Sequence, residues 1–189
     1  MRNINLISIL VVWILLAACG GALTESKIEV KAGGKTMPVS VRSSGTYNTV
    51  KTFTDAQSKV SKASSNYIVL GNYDIDTSAG MNSMGKAVTA ADQIRVSLQL
   101  VGQEGTDEKT GFKTGTFTTK AEKFDKVDYV NVAYFANGKE SSNSFEIAKT
   151  TGEVVITSVS ADSVSGEINL TDGDKSVKGN FTAKIPVKK

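Results

Sequence analysis

Histidine is missing from all 189 residues, and cysteine and tryptophan occur once each, as Cys19 and Trp13. Without histidine the chain lacks the commonest general base and the commonest metal-ligating side chain. A zinc site of the Cys/His kind is excluded, as is an intramolecular disulfide. A chain this long has no need of such staples, because a domain of about 150 residues buries roughly 70% of its unfolded surface. Trp-lined sugar platforms are excluded beyond Trp13. Charge of one sign is also lacking: 22 basic side chains stand against 19 acidic ones. The lysines are scattered, Lys188-Lys189 reads as a solvated tail, and no basic footprint for nucleic acid emerges.

Long hydrophobic runs are nearly absent too. The one that exists, Leu6 to Ala18, falls short of the roughly 20 apolar residues of a membrane-spanning helix. Arg2 precedes it and small residues close it, which are the parts of a secretory signal. An ordinary signal peptide ends in a small-x-small site and needs no cysteine. Here the run ends Leu16-Ala17-Ala18-Cys19. That segment resembles the lipobox of bacterial lipoproteins. The resemblance implies cleavage before Cys19, lipid on its sulfur, and a membrane anchor. Each buried methylene contributes about 0.8 kcal/mol, and stable anchoring takes more than one chain. Gly20, where enteric-type sorting would need Asp for inner-membrane retention, points to the outer membrane. The expected organisation is a signal peptide over 1–18, a lipidated tether over 19–26 and a single β domain over 27–189. Processing would also remove the only tryptophan and consume the only thiol.

After the tether, period-two alternation dominates. Lys27 to Ala32 and Lys35 to Arg42 flank Gly33-Gly34, a two-residue hairpin signal that sets Ile28 opposite Val39 and Val30 opposite Met37. Pro38 lacks an N–H and places its strand at an edge or bulge. Thr54-Asp55 is positioned to cap a short helix through about Ala63, with a loop as the alternative because the segment is rich in Ser and Lys. Asn66 to Asp74 reads as a strand, with Gly71 as a bulge marker. Ser78 to Asp92 reads as a surface excursion with one helical turn over Thr89 to Asp92. Gln93 to Val101 is the cleanest strand, with Ile94, Val96, Leu98 and Leu100 on one face and polar residues on the other, an antiparallel signature. Phe112 to Lys120 and Val127 to Ala136 follow, then Asn137-Gly138 and a return strand ending at Phe145-Glu146-Ile147.

The C-terminal third can be registered in detail. A type II′ turn at Gly173-Asp174 sets Leu170 opposite Val177, Ile168 opposite Gly179, Gly166 opposite Phe181 and Val164 opposite Ala183. Each glycine meets a large partner able to cover its bare backbone. A turn at Ala161-Asp162 pairs Val159 with Val164 and Val155 with Ile168. The fold class expected is all-β: an antiparallel β-sandwich of roughly nine to ten strands with at most one short helix. The alternative is a small β-barrel.

Candidate sites are few. Asp74, Asp76 and Ser78 carry oxygens at alternate positions, as calcium loops do, but Gly80 and Gly85 stand where an EF-hand would not have them. A strand end running into a polar loop accounts for them, and no metal is expected. Asp107-Glu108 and Asp172-Gly173-Asp174 read as solvated loop and turn. Tyr67, Tyr73, Tyr129 and Tyr134 are candidates for a pocket or partner surface, or simply strand residues. No phosphate-cradling glycine loop is present. Cys19 is the one assigned site residue, for lipidation; no catalytic residue and no cofactor are assigned.

The function expected is a membrane-anchored envelope lipoprotein with a non-enzymatic binding or structural β domain. Its partners would be the membrane, through the lipid, and a protein or other envelope component, with no nucleic acid. A small-ligand carrier with a barrel interior is the alternative. A hydrolase using Ser, Lys or paired carboxylates is a third reading, disfavoured by the missing histidine.

Overall fold

Alternating apolar and polar residues should build strands, and the pattern does so along much of the described chain. A computed structural model describes residues 26–76 and 86–186. Its strands are β1 (Lys27–Ala32), β2 (Lys35–Ser40), β3 (Ser43–Thr54), β4 (Val60–Gly71), β5 (Ile94–Glu104), β6 (Gly115–Thr118), β7 (Lys126–Ala136), β8 (Lys139–Ser144), β9 (Thr151–Val159), β10 (Ser163–Asp172) and β11 (Lys175–Lys184). No helix occurs among the described residues. All eleven strands belong to one sheet, in the order β2-β1-β11-β10-β9-β6-β7-β5-β4-β3, with β8 paired to β7. The pairings are antiparallel except for a single parallel contact between β6 and β7.

The expected all-β domain is therefore present, but its strands form one sheet curled into an open half-barrel, not two stacked sheets. The reason lies in one short link. β2 and β3 are the two ends of the strand order, yet only Val41 and Arg42 separate them. Three residue steps reach at most about 11 Å, so the two ends of the sheet must come together. Val41 N–H donates to the Ser26 carbonyl at 3.0 Å, and Arg42 N–H to the Gly71 carbonyl at 2.9 Å. Lys184 N–H donates to Ser44 Oγ at 3.2 Å, which brings β11 against β3 at the same corner.

The concave face holds the main core. Val30, Leu70, Val96, Leu98, Leu100, Val130, Val154, Leu170 and Val177 are wholly buried there. Ile94, Val96, Leu98 and Leu100 do share that face, and Arg95, Ser97 and Gln99 alternate with them as half-buried residues. The hairpin registers follow their turns. Ile28 pairs with Val39 and Val30 with Met37. Leu170 pairs with Val177, Ile168 with Gly179, Gly166 with Phe181 and Val164 with Ala183. Gly173 has φ +60° while Asp174 stays on the ordinary side, as a type II′ turn requires. Pro38 sits on the edge strand β2.

Four expectations are corrected. Val159 pairs with Val164, but Ile168 meets Val154 rather than Val155, because a bulge at Thr157 shifts the register between Ser165 and Gly166. The shift exchanges the faces, burying Val154 and Ile156 and turning Thr157 outward. In place of the helix over Thr54 to Ala63, residues 55–59 form a hairpin turn and Val60 to Ala63 begin β4, which is the loop alternative. Asp55 Oδ1 accepts the N–H groups of Gln57 (3.0 Å) and Lys59 (2.8 Å), so its capping chemistry closes a loop between β3 and β4. Gly71 ends β4 rather than marking a bulge, and a side chain there would strike Ile75 Cγ2 at 2.5 Å. The return strand β8 stops at Ser144, and Thr150 N–H turns back to the Glu146 carbonyl at 2.9 Å. Residues 78–85 of the expected excursion lie outside the described residues.

Asp172 shows how a turn carboxylate is tied into the fold. It is buried, pairs with Lys175 Nζ at 2.6 Å, and accepts the Glu146 N–H at 2.8 Å. The hydrogen bond from Lys175 holds its carboxyl below the ordinary carboxylate range, against the opposing effect of burial. A depressed folded-state pKa means the stabilisation is complete above the unfolded value, about 3.9, and is lost as pH falls through the folded one. Asp172→Asn should therefore lower stability at neutral pH and flatten the loss of stability below about pH 4. Urea unfolding followed across that range checks this; parallel curves for the two proteins would remove Asp172 from the account.

Candidate functional site

The convex face of β3, β4, β5 and β7 carries a row of side chains in register. Tyr47 pairs with Tyr67, Tyr67 with Gln99, and Gln99 with Tyr129. The row crosses four strands, roughly 14 Å at the usual spacing. Tyr47 is 36% exposed and Tyr129 39%, which is high for large aromatics. The Tyr47 and Tyr67 rings lie 6.4 Å apart and tilted by 53°, within the range of favourable aromatic pairing. Gln99 Nε2 donates to Ser65 Oγ at 2.8 Å, fixing the amide in the middle of the row. Burial raises the Tyr67 phenol above its ordinary pKa, with the Asp128 carboxylate adding to the effect. The phenol thus stays protonated, a hydrogen-bond donor as well as an acceptor.

Charge and apolar bulk flank this neutral row. On one side Lys51 Nζ bonds Asp128 Oδ2. Asp128 is the extra residue of the irregularity between Gln99 and Leu100 in the β5–β7 pairing. The Lys51 ammonium also lies 5.5 Å from the Phe53 ring centre, and Phe53 meets Phe124 edge-on at 5.4 Å. On the other side the segments at 72–76 and 86–92 fold back over the sheet. Tyr73, Ile75 and Val88 pack on Val69, Ala133 and Phe135 as a second small core.

A polar clasp holds that second core in place. Arg95 Nη2 pairs with Glu140 Oε1 at 3.0 Å, and Arg95 Nη1 donates to Tyr73 Oη at 3.1 Å. The Tyr73 hydroxyl donates to the Lys86 carbonyl at 2.6 Å, and Glu140 Oε2 accepts the Val88 N–H at 2.6 Å. Burial raises the Tyr73 phenol pKa, while the adjacent Arg95 pulls it back.

Of the four tyrosines singled out by sequence, the structure brings Tyr67 and Tyr129 together on the convex face. Tyr73 belongs to the clasp. Tyr134 packs against the main core, with its hydroxyl accepting Asn143 Nδ2 at 3.1 Å. Tyr47 was missed because Ser43 to Thr54 is rich in Ser and Thr on both faces and shows no apolar alternation. Asp74 and Asp76 are exposed, with Asp74 Oδ1 accepting the Asp76 N–H at 3.2 Å, and Ser78 lies outside the described residues. No cluster of three or more His, Cys, Asp or Glu is placed to hold a metal among the described residues. Asp107 caps its own turn, accepting the Lys109 N–H at 3.0 Å, which holds its carboxyl below the ordinary range. Cys19 lies outside the described residues. No family model, curated protein or solved structure matches the chain.

Proposed function

We propose that this protein is an envelope lipoprotein, anchored through Cys19, whose β domain binds a protein partner on its convex face and performs no catalysis. The observation that carries the binding reading is the row Tyr47, Tyr67, Gln99 and Tyr129, with two of its three aromatics well exposed. Tyrosine supplies large contact area at low conformational cost and is enriched in interface cores. The anchor reading rests on Leu16-Ala17-Ala18-Cys19, and the outer-membrane placement on Gly20. A non-enzymatic role is supported by the residue types missing from the chain. Carriage of an apolar ligand in the barrel interior is the weaker reading, since the apolar part of the concave face is filled by its own side chains.

Two measurements test this together. Metabolic labelling with a clickable fatty acid should mark the wild-type chain and not Cys19→Ala. Photo-crosslinking residues placed at 47 and 129 in the intact envelope should capture one reproducible protein, whereas a probe at the exposed position 159 on β9 should not. Equal labelling of Cys19→Ala would sink the anchor. Crosslinks of the same pattern from all three positions, or none from 47 and 129, would sink the binding face.

A further inference from the structure

On the opposite side of the sheet, at the end of the half-barrel away from the β2–β3 corner, lies a polar cavity of about 100 Å³. Ser64, Asn66, Thr106, Thr110, Thr116 and Phe117 line it, with one cation, Lys113, and one anion, Asp125. Asn66 is only 2% exposed, and its Oδ1 has no hydrogen-bond partner. Asn48 stands directly across from it on β3, and Asn48 Oδ1 is unpartnered too, as is the buried Thr46 Oγ1 two residues away.

The neighbouring groups are satisfied. Asn66 Nδ2 donates to Ser64 Oγ at 3.3 Å, Ser64 N–H to Thr106 Oγ1 at 2.8 Å, and the Thr106 hydroxyl to the Gln103 carbonyl at 2.6 Å. Unmet hydrogen-bonding capacity is therefore concentrated in the two amide oxygens and one hydroxyl. A buried polar group left unpaired costs about 1–3 kcal/mol, so Asn66 Oδ1, the one of the three that belongs to the cavity lining, is a standing demand for a hydrogen-bond donor.

We propose that this cavity binds the hydroxyl-bearing end of a small polyol or sugar. The occupant must donate to Asn66 Oδ1, and the Asp125 carboxylate in the same lining opposes an anion such as phosphate. It must also sit beside Lys113, an ammonium that can only donate, so the occupant has to accept there, which another ammonium group cannot do. A hydroxyl does both and is neutral, matching a lining with one charge of each sign. The size agrees: a cavity of about 100 Å³ is well above the roughly 10–15 Å³ that a single water needs and has room for a group of the extent of glycerol or one edge of a hexose. Gly102 keeps the wall close, since a Cβ there would lie 2.4 Å from Ser64 Oγ. The inference is independent of the convex-face reading, because the two sites lie on opposite faces.

The test is NMR titration of the full chain in detergent with glycerol, glucose, ethanolamine and inorganic phosphate. Saturable shifts at the Ser64, Asn66, Gly102 and Thr106 amides are expected with glycerol or glucose alone. Asn66→Leu removes an unpaired acceptor at similar volume, so it should keep its fold and its thermal midpoint while weakening binding by up to about tenfold, the value of one hydrogen bond at the upper end of its range. Thr116→Val, at an exposed lining position, should weaken binding without touching the core. Three results would each overturn the proposal: no saturable shift with either hydroxyl probe, preference for ethanolamine or phosphate, or unchanged binding in both variants. A high-resolution structure holding only ordered waters in the presence of glycerol would do the same.

Discussion

Gly179→Ala is expected to cost about 2–6 kcal/mol of stability. Gly179 sits in β11 between β10 and β1, opposite Ile168 on one side and Ile28 on the other. Its φ is +128°, a conformation that residues with a side chain rarely adopt, and a Cβ would lie 2.3 Å from the Lys27 carbonyl oxygen and 2.9 Å from Ile28 Cα. Both obstacles are backbone, so no rotamer change relieves them. Strained backbone costs about 1–3 kcal/mol and overpacking a similar amount, against a total stability of about 5–15 kcal/mol for a domain. Gly138→Ala is the control: φ is +78°, but nothing lies within 4 Å of the added carbon. Urea midpoints should fall far more for Gly179→Ala than for Gly138→Ala. Similar midpoints would mean that β1 does not pack against β11 this closely.

Phe181→Ala should cost about 3–5 kcal/mol, the usual loss for a buried phenylalanine. Phe181 is among the largest fully buried side chains, and its ring covers Gly166 on β10, with ring carbons 3.0 and 3.1 Å from where a Gly166 Cβ would stand. The two positions look like a matched pair that a compensating exchange might restore, but geometry forbids it. The Val155 carbonyl oxygen lies 2.2 Å from the same point. Gly166→Ala combined with Phe181→Ala should therefore be no more stable than Phe181→Ala alone. Chemical denaturation of the two single variants and the double variant reads this directly. Recovery in the double variant would show that the ring, and not the backbone, is what confines Gly166.

These positions also mark how far the sequence could be read. The Gly166–Phe181 and Ile168–Gly179 pairings were legible because a two-residue turn at Gly173-Asp174 fixes the register of everything that follows. The partner of Ile168 on β9 was not, because the bulge falls at Thr157, a residue that carries no conformational signal. β3 was invisible for a different reason. Its concave side is Ser44, Thr46 and Asn48, polar residues at a sheet edge, so burial there does not register as hydrophobic alternation. That one omission hid Tyr47, and with it the row. Even with β3 in hand, the row depends on the pairing of β5 with β7, strands separated by a long loop and the short β6, and no local turn sets that register. Arg95 and Glu140, 45 residues apart, are likewise joined only by the finished sheet.

The position of β1 in the sheet has a mechanical meaning. Ser26 leads straight into β1, and β1 is not an edge: β2 flanks it on one side and β11 on the other. The Ser26 carbonyl accepts from Val41 and its Oγ from the Thr182 N–H, at 3.0 and 2.7 Å. Tension entering at this point runs along the axis of β1 and loads the hydrogen bonds of both ladders in shear, all at once. A pull on an edge strand would instead break them singly, like a zip. Were the chain anchored as proposed through Cys19, force would enter the sheet along a strand paired on both sides.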